Sequence, residues 1–451
     1  MEKNIREKMY SVKGETPYIQ TLSQVQANVA SSLMRKIDDV TEAELKDIIE
    51  KYITEHDVKC SLTPSMSELT NYIYHDMAGL SFITRDGLFD MARFEEVDIN
   101  AWDAVEIQVN GEKRKTDYSF LSPQHALDIH ERIFRKTGTV FNEAQPRATA
   151  DIGEGVRITA LRAPIVDRNI AVSSSIRKVN TKVISREKLI EGGFLTEKMM
   201  DFLMLCVMHG VSFCISGETG AGKTTIAGCL LAMASRKLRL YTIEEGSREW
   251  DFIIRDGNGK ATNSVIHTRT RPNTDNPGMD IDQEALVKDS LRFNPDIIAP
   301  GEIRGREAFE VMGVSNTGHT VVTTTHANNT EATPSRIVTL AKKAFDMSDN
   351  TLFGMAAMAF PVLVHAEKGE DNVRRITEIR EVTGFDNGAI GSRMLFEFVV
   401  EDNIYDGDTC TKVEGKFVQM NPISKKLAKR LLKKGTQRSE IEPYMTKEEI
   451  S

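Results

Sequence analysis

The chain has 451 residues, of which 40% are hydrophobic and 27% charged, and its formal net charge is −8. This composition is that of a globular protein with two or three domains, and the acidic balance argues against a protein that coats nucleic acid. No apolar run approaches the roughly 20 residues that a membrane-spanning helix needs, and no apolar signal region follows Met1. We therefore expect a cytoplasmic location, with any membrane association being peripheral. Five scattered cysteines without C-x-x-C spacing argue against a disulfide framework and a zinc site.

The amino-terminal part of the chain is predicted to contain a helical leader over residues 1–60 and a separate α/β domain over residues 61–180. In the leader, Thr41 is the expected N-cap of a helix, and Glu44 completes a capping box. In the α/β domain, hydrophobic periodicity predicts strands over residues 105–109, 155–161 and 172–178 and a helix over residues 122–137. A tight turn is predicted at Asn110-Gly111. Four arginines of this domain are candidate phosphate contacts, although each could be an ordinary surface residue: Arg147, Arg157, Arg162 and Arg177.

The middle of the chain, residues 187–370, is predicted to form an α/β core with a parallel sheet. After a helix near residues 197–209, short apolar strands alternate with helices, and alternation at these lengths implies a parallel sheet covered by helices. The predicted strands are 211–215, 238–243, 296–300 and 320–325, and the predicted helices are 223–235, 283–293 and 305–315. The C-terminal extension, residues 371–451, adds strand-like runs and a basic helix near residues 425–434, whose charge indicates a solvated face or, alternatively, a surface for membrane or nucleic acid.

A phosphate-binding loop lies between the first predicted strand of the core and its helix. Residues 217–224 match the pattern G-x-x-x-x-G-K-[ST] without a mismatch, and the strand–loop–helix context supports the match. Glycines allow backbone N–H groups to point at one anion, and the following helix adds its positive dipole end. The predicted nucleotide-binding residues of the loop are Gly217, Glu218, Thr219, Gly220, Ala221, Gly222, Lys223, Thr224 and Thr225. Lys223 can reach the β- and γ-phosphates of ATP, and the Thr224 hydroxyl can ligate Mg²⁺.

Acidic side chains follow two later strands of the core. Glu244 and Glu245 end one strand, and Glu302 follows another. Because ligands bind at the carboxyl ends of parallel strands, we expect these carboxylates beside the phosphate loop. There Glu244 or Glu245 can hold Mg²⁺ through water or polarise the attacking water, and Glu302 can orient water for attack on the γ-phosphate.

Two histidines, His319 and His326, bracket the predicted strand 320–325. A lone histidine in such a place is commonly a core residue with satisfied hydrogen bonds. Coming after the other motifs, the pair is interpreted as sensing the γ-phosphate. No third ligand at metal spacing accompanies them, so a zinc site is not expected.

The order of these motifs resembles that of the secretion-superfamily ATPases, the motors of type II and type IV secretion, type IV pili and conjugation. Within that superfamily the chain is most similar to the branch that serves Tad/Flp pili and VirB11-like conjugation. The motifs that carry the resemblance are residues 217–225, 242–245, 301–305 and 317–328. The similarity covers roughly residues 95–430. One departure is Glu245, which stands where the family usually has aspartate.

The resemblance implies a RecA-like ATPase core hinged to an N-terminal domain, with ATP and Mg²⁺ bound between the two lobes. It further implies a homohexameric ring on the cytoplasmic face of a membrane platform. Arg269 and Arg271 are similar in placement to the family's arginines near the γ-phosphate, with Arg271 favoured. Such an arginine would stabilise transition-state charge, across a subunit or domain boundary if the geometry requires it. The cargo, whether protein, pilin or DNA, stays open.

Three other functions are compatible with a phosphate loop. A nucleic-acid translocase or helicase would use the same kind of core, although the net acidic charge argues against strong non-specific binding. A metabolic kinase gains no support from the histidine motif or from the large N-terminal domain. A scaffold that binds but does not hydrolyse ATP is the third alternative.

Overall fold

The chain divides into two units, Met1–Val179 and Asn180–Ser451. A computed structural model describes residues 18–32, 41–58, 60, 65–88, 94–109, 112–153, 155–178, 183–246, 248–271, 280–386 and 388–446. No helix within these ranges is long and apolar enough to cross a membrane.

The first unit begins with helices that pack on one another. They are α1 (Tyr18–Ser32), α2 (Glu42–Glu55), α3 (Met66–Met77) and α4 (Phe82–Arg85). The predicted capping box is confirmed, because the Thr41 hydroxyl accepts from the Glu44 N–H and the Glu44 carboxylate accepts from the Thr41 N–H. Apolar stripes of the first three helices form one buried cluster. The predicted leader thus packs against α3, which lies in the predicted α/β domain.

The rest of the first unit is a six-stranded antiparallel sheet with strand order β3-β2-β1-β6-β5-β4. Its elements are β1 (Glu96–Ala101), β2 (Ala104–Val109), β3 (Glu112–Lys115), α5 (Pro123–Lys136), β4 (Arg147–Asp151), β5 (Val156–Arg162) and β6 (Val172–Lys178). Buried and half-buried residues alternate along β5, so one face of the sheet packs on a core that includes the apolar face of α5. The predicted turn residues Asn110 and Gly111 lie outside the described residues.

The second unit contains a parallel sheet, as the alternation of strands and helices predicts. Its helices are α6 (Arg186–Glu191), α7 (Glu197–Met208), α8 (Lys223–Ala234), α9 (Gln283–Ser290), α10 (Ala308–Asn316), α11 (Thr333–Ala341) and α12 (Asp349–Ala359). Its parallel strands are β7 (Phe213–Gly217), β8 (Leu240–Glu244), β9 (Val265–Arg269), β10 (Ile297–Pro300), β11 (Thr320–Thr325) and β12 (Val362–Lys368), in the order β12-β7-β11-β10-β8-β9. The side chains of successive strand residues pack into two different cores, one on each face of the sheet. Phe213 and Ile215 face one layer of helices, whereas Cys214 faces the other.

Several predicted boundaries in this unit are shifted. The first strand begins at Phe213 and continues through Gly217, because β7 pairs with β11 and β12 from Phe213 onward. The helix predicted over 283–293 ends at Ser290, where residues 291–293 form a turn, and the helix predicted from 305 begins at Ala308.

The C-terminal residues extend the same sheet. Antiparallel strands β13 (Arg374–Asp386), β14 (Ala389–Asp406) and β15 (Thr409–Gln419) continue from β12 to the sheet edge. Helices α13 (Lys425–Lys433) and α14 (Arg438–Ile441) and a 3₁₀ turn at Glu442–Tyr444 follow. Ile376 and Leu395 lie in the same core as Ile215. The predicted division at residue 370 therefore falls between two paired strands of one sheet.

Candidate nucleotide-binding site

The predicted motifs meet at one edge of the second unit's sheet. In the order β7-β11-β10-β8, the strands are parallel and hydrogen-bonded to their neighbours. The phosphate loop follows β7, and His326 directly follows β11. Glu302 lies two positions after the last residue of β10, and Glu244 is the last residue of β8. The carboxyl ends of these four strands therefore bring residues that are up to 109 positions apart (217 to 326) to one edge.

Two glycines of the phosphate loop are required by the backbone and by close packing. Gly217 has φ of 148° and Gly222 has φ of 92°, conformations that L-residues with side chains rarely adopt. A Cβ atom on Gly217 would lie 2.1 Å from the Ala366 carbonyl oxygen, and one on Gly222 would lie 2.9 Å from the Phe194 ring. The loop can therefore form only with glycine at these positions, and Gly222 directly precedes α8.

The Lys223 ammonium group is buried within the loop. Its Nζ donates to the carbonyl oxygens of Gly217, at 2.9 Å, and Glu218, at 2.7 Å. Burial lowers the pKa of Lys223, and the negative charge of Glu302 partly offsets that effect. A buried cation held only by carbonyl oxygens is suited to exchange those partners for an anionic phosphate.

Glu302 is held between an arginine and a histidine. Its Oε2 accepts from Arg304 Nη2 at 2.8 Å, and its Oε1 lies 3.2 Å from Nε2 of His326. The same Arg304 guanidinium donates to Glu245 Oε2 at 2.9 Å. Three of the predicted side chains, Glu302, His326 and Glu245, are thus connected directly or through Arg304.

The backbone around Glu302 is fixed to the neighbouring strand. The Ile303 N–H donates to the Thr324 carbonyl at 2.8 Å, and the hydroxyls of Thr324 and Thr325 donate to the carbonyls of Gly301 and Ile303. These three bonds hold the segment on both sides of Glu302, so the carboxylate position follows from the strand geometry.

Glu244 is buried and makes hydrogen bonds to partners other than those of Glu302. Its Oε1 accepts the N–H groups of Glu249, at 2.6 Å, and Trp250, at 2.9 Å. Burial raises the pKa of Glu244 to about 7, against the lowering effect of these two hydrogen bonds. The Trp250 indole in turn donates to the Thr224 carbonyl at 3.3 Å. Glu244 therefore orients a segment that packs on the helix of the phosphate loop.

The donor set around the loop fits a hard divalent cation bound together with a nucleotide. Mg²⁺ prefers carboxylate, hydroxyl and water oxygens, and the Thr224 hydroxyl, Glu244 and Glu302 offer such oxygens at this edge. Glu302 Oε1 is buried and makes no hydrogen bond within the described residues. An oxygen of this kind is available to water or to a hydrated cation.

Two residues, Arg374 on β13 and His365 on β12, contact this site and were not predicted from the sequence. Arg374 Nε donates to the Gly220 carbonyl at 2.6 Å. The buried His365 is hydrogen-bonded to the Ser216 hydroxyl at 3.0 Å. The strand pattern over residues 373–379 was visible in the sequence, but only the pairing of β12 with β7 and β13 brings these side chains to the loop.

His319 does not lie at this edge of the sheet, so the structure brings His326 but not His319 to the phosphate loop, and the γ-phosphate role of His319 stays a prediction. His319 precedes β11, whereas His326 follows it, so six extended residues separate them by roughly 20 Å. In a parallel sheet the amino ends of the strands lie opposite the phosphate loop. His319 Nδ1 instead lies 3.4 Å from the Thr317 hydroxyl.

The predicted arginines lie away from the loop of their own unit. Arg269 ends β9, and Arg271 follows it and pairs with Ile281 through two backbone hydrogen bonds. Because β9 is four strands from β7, about 19 Å separates their strand axes. The role predicted for these exposed arginines across a boundary stays a prediction, as does phosphate contact by Arg177 on β6 of the first unit. Arg162, by contrast, is buried and paired with Glu131, so it is not free for phosphate.

Comparison with known proteins agrees with this geometry. A family model described as type II/IV secretion system protein matches residues 155–449. A Mycobacterium tuberculosis protein named for conjugal transfer is 25% identical over 291 residues, which cover 63% of this chain and 79% of that protein. The conjugal transfer protein TrbB of Rhizobium radiobacter is 26% identical over 238 residues, covering 52% of this chain and 66% of TrbB.

A solved structure shares the fold. The structure of the Legionella pneumophila ATPase DotB aligns with a TM-score of 0.50 at 17% identity, over 68% of this chain and 81% of DotB. The predicted fold class, a RecA-like core with an N-terminal α/β domain, is confirmed.

Proposed function

Because this chain belongs to the family of type II/IV secretion system proteins, we propose that it is an ATPase that hydrolyses ATP to power a secretion, pilus or conjugative transfer system. The observation that carries the proposal is the position of Glu302. Its carboxylate stands beside the phosphate loop, with Oε2 bound to Arg304 and Oε1 buried next to His326 and free of hydrogen bonds in the described part of the chain.

The residues of the loop would bind the nucleotide. N–H groups at the start of α8 and the Lys223 ammonium would hold the phosphates, and the Thr224 hydroxyl would bind Mg²⁺. Mg²⁺, when bound with ATP, neutralises charge that develops on the phosphate oxygens. Glu302 would orient water in line with the γ-phosphate through the oxygen that faces His326, while Arg304 fixes the other oxygen.

The assembly and location are proposed from the family. We propose a homohexamer on the cytoplasmic face of a membrane, bound to the platform of the transfer machine. Two of the relatives are named for conjugal transfer, which supports a role in moving a macromolecule. Measuring the solution mass with and without ATP tests the ring, and a mass of one subunit under both conditions would contradict it.

The decisive experiment is the substitution Glu302→Gln. We expect ATP binding to persist and turnover to fall at least about a hundredfold, because the amide cannot accept a proton from water. Glu401→Gln, on the exposed β14–β15 hairpin, is the matched control and should leave turnover unchanged. Undiminished turnover in Glu302→Gln would exclude the assigned role.

A further inference from the structure

A positively charged side chain lies against the outside of the phosphate loop. Arg374 is the first residue of β13, and its Nε donates to the carbonyl oxygen of Gly220 at 2.6 Å. Gly220 is exposed, has φ of 80°, and no neighbouring atom lies within 4 Å of where its Cβ would stand. A glycine in open space has the widest choice of backbone conformations. The bond from Arg374 therefore restrains a peptide of the loop whose glycine has no neighbouring atom at the Cβ position.

The direction of that bond matters for anion binding. A peptide unit is planar, and its C=O and N–H groups point in opposite directions. When Arg374 holds the Gly220 carbonyl outward, the N–H of Ala221 is turned to the opposite side, toward the interior of the loop. This N–H is 3.3 Å from the Glu218 carbonyl oxygen, at the long end of the hydrogen-bonding range, so a phosphate oxygen could replace that acceptor.

The Arg374 guanidinium has a single hydrogen-bond partner within the described residues. Its Nη atoms make no hydrogen bond or ion pair within the described residues, whereas the adjacent Arg375 is bound by Asp371 through both carboxylate oxygens. Lys368 on β12 lies directly opposite Arg374 in the strand register. Lys368 is therefore a neighbouring cation whose removal leaves the bond from Arg374 to Gly220 in place.

We propose that Arg374 is a positioning residue of the nucleotide site, which holds the Gly220–Ala221 peptide in the orientation that binds the polyphosphate of a nucleoside di- or triphosphate. The inference rests on the proposed function, because it takes a nucleotide as the ligand of the loop. Arg374 lies outside the loop and away from Glu302. Its contribution should therefore be equal in the ground and transition states, and should appear in nucleotide affinity and KM rather than in kcat.

The test compares three variants of the full chain by equilibrium binding of Mg-ADP and by steady-state hydrolysis. Arg374→Ala should raise the Kd for ADP and the KM for ATP about tenfold, as expected for the loss of a charged hydrogen bond, with kcat changed less than about twofold. Lys368→Ala removes the neighbouring charge without touching Gly220, and it should change Kd less than about twofold. Arg374→Lys keeps the charge and loses the planar guanidinium, so its Kd for ADP should lie between those of Arg374→Ala and Lys368→Ala.

Unchanged Kd in Arg374→Ala would overturn the inference, and so would an equal rise in Lys368→Ala, since charge alone would then explain the effect. If Arg374→Ala does not fold, as judged by Trp250 fluorescence with Trp102 replaced by Phe, Arg374→Lys decides: wild-type affinity overturns the proposal, and an intermediate Kd supports it. The proposed ATPase function and the proposed role of Arg374 can be contradicted independently. A wild-type protein that neither binds nor hydrolyses ATP contradicts the function, whereas normal wild-type binding with an unaffected Arg374→Ala contradicts only the role of Arg374.

Discussion

Oε1 of Glu302 lies 3.2 Å from Nε2 of His326, although the two residues follow different strands. Burial and the charge of Lys223 lower the pKa of His326 from its ordinary value of 6.5. The imidazole is therefore neutral at pH 7, and the contact is a polar one beside the carboxylate rather than an ion pair. Arg304 holds the second oxygen, so a guanidinium fixes one side of the carboxylate and a neutral imidazole lies against the other.

The two histidines allow a matched comparison of opposite edges of the sheet. His326→Asn should lower kcat for ATP hydrolysis at least about tenfold, because it removes the imidazole that lies against Oε1 of Glu302, the oxygen assigned to orient water, with a smaller effect on KM. His319→Asn, at the other end of β11, should leave both parameters within about twofold. Steady-state kinetics on the two variants checks this. Equal losses in both would contradict the assignment of only His326 to the site.

Two loop glycines are expected to differ in their tolerance of alanine. Gly217→Ala places a methyl group 2.1 Å from the Ala366 carbonyl oxygen in a backbone conformation that favours glycine. It should destabilise the second unit by more than about 4 kcal/mol. Gly220→Ala meets no atom within 4 Å and should cost only about 1–2 kcal/mol, the penalty of the left-handed conformation. Urea unfolding followed by Trp250 fluorescence, with Trp102 replaced by Phe, measures both. Similar costs would contradict the packing argument.

The sequence predicted which edge of the sheet carries the candidate site better than it predicted the contacts made there. Glycine pattern, strand alternation and terminal acids depend on local spacing, and the rule that ligands bind at carboxyl ends of parallel strands converts them into one site. Glu302 and Lys223 could be placed in this way. The same reasoning did not separate His319 from His326, although two residues that flank a strand lie at opposite edges of a sheet, a consequence of strand length rather than of residue type.

The contribution of the C-terminal strands could not be predicted, since it depends on long-range pairing. Nothing local in residues 373–379 indicates that Arg374 would contact Gly220, 154 positions earlier. The contact exists because β12 pairs with β7 and then β13 with β12. Similarly, Glu244 or Glu245 was predicted to hold Mg²⁺ through water or to polarise the attacking water, but the two backbone partners of Glu244 come from the irregular segment beyond β8, where sequence patterns are least informative.

Glu244 should make stability depend on pH. Its folded pKa is about 7, above its ordinary value of 4.5, so the folded protein holds more protons between these values. The contribution of Glu244 to the free energy of unfolding is therefore largest below pH 4.5. It falls by about 3 kcal/mol in total as pH rises to about 7. Glu244→Gln carries no charge and keeps an acceptor for the Trp250 N–H, so its advantage over wild type should grow from pH 5 to pH 8.

Urea unfolding at the two pH values measures this difference. Glu244→Ala is the control for the hydrogen bonds, since it lacks the acceptor oxygen and should be less stable than Glu244→Gln at both values. Parallel stability profiles for wild type and Glu244→Gln would show that the carboxyl group does not titrate in this range in the folded protein.

The Asp371–Arg375 pair joins the turn before β13 to the β14–β15 hairpin and should be strongly stabilising. Arg375 donates to both carboxylate oxygens at 2.9 and 2.6 Å, and the Val413 N–H donates to Asp371 at 3.0 Å. The Asp371 side chain is 3% exposed. Asp371→Asn leaves the Arg375 charge largely buried without its counterion, so we expect a loss of about 3 kcal/mol. Glu401→Gln breaks the exposed pair with Lys416 on the same hairpin and should cost less than about 1 kcal/mol.

The pair also has a defined pH signature. Chiefly the hydrogen bonds from Arg375 lower the pKa of Asp371 below its ordinary value of 3.8. The stabilisation is therefore complete above pH 3.8 and is lost only in stronger acid, as the folded carboxylate protonates. The cost of Asp371→Asn should accordingly be constant between pH 5 and pH 8 in urea unfolding, in contrast to the Glu244 variants. A cost that changes across this range, or one as small as that of Glu401→Gln, would contradict a buried, ionised pair at this joint.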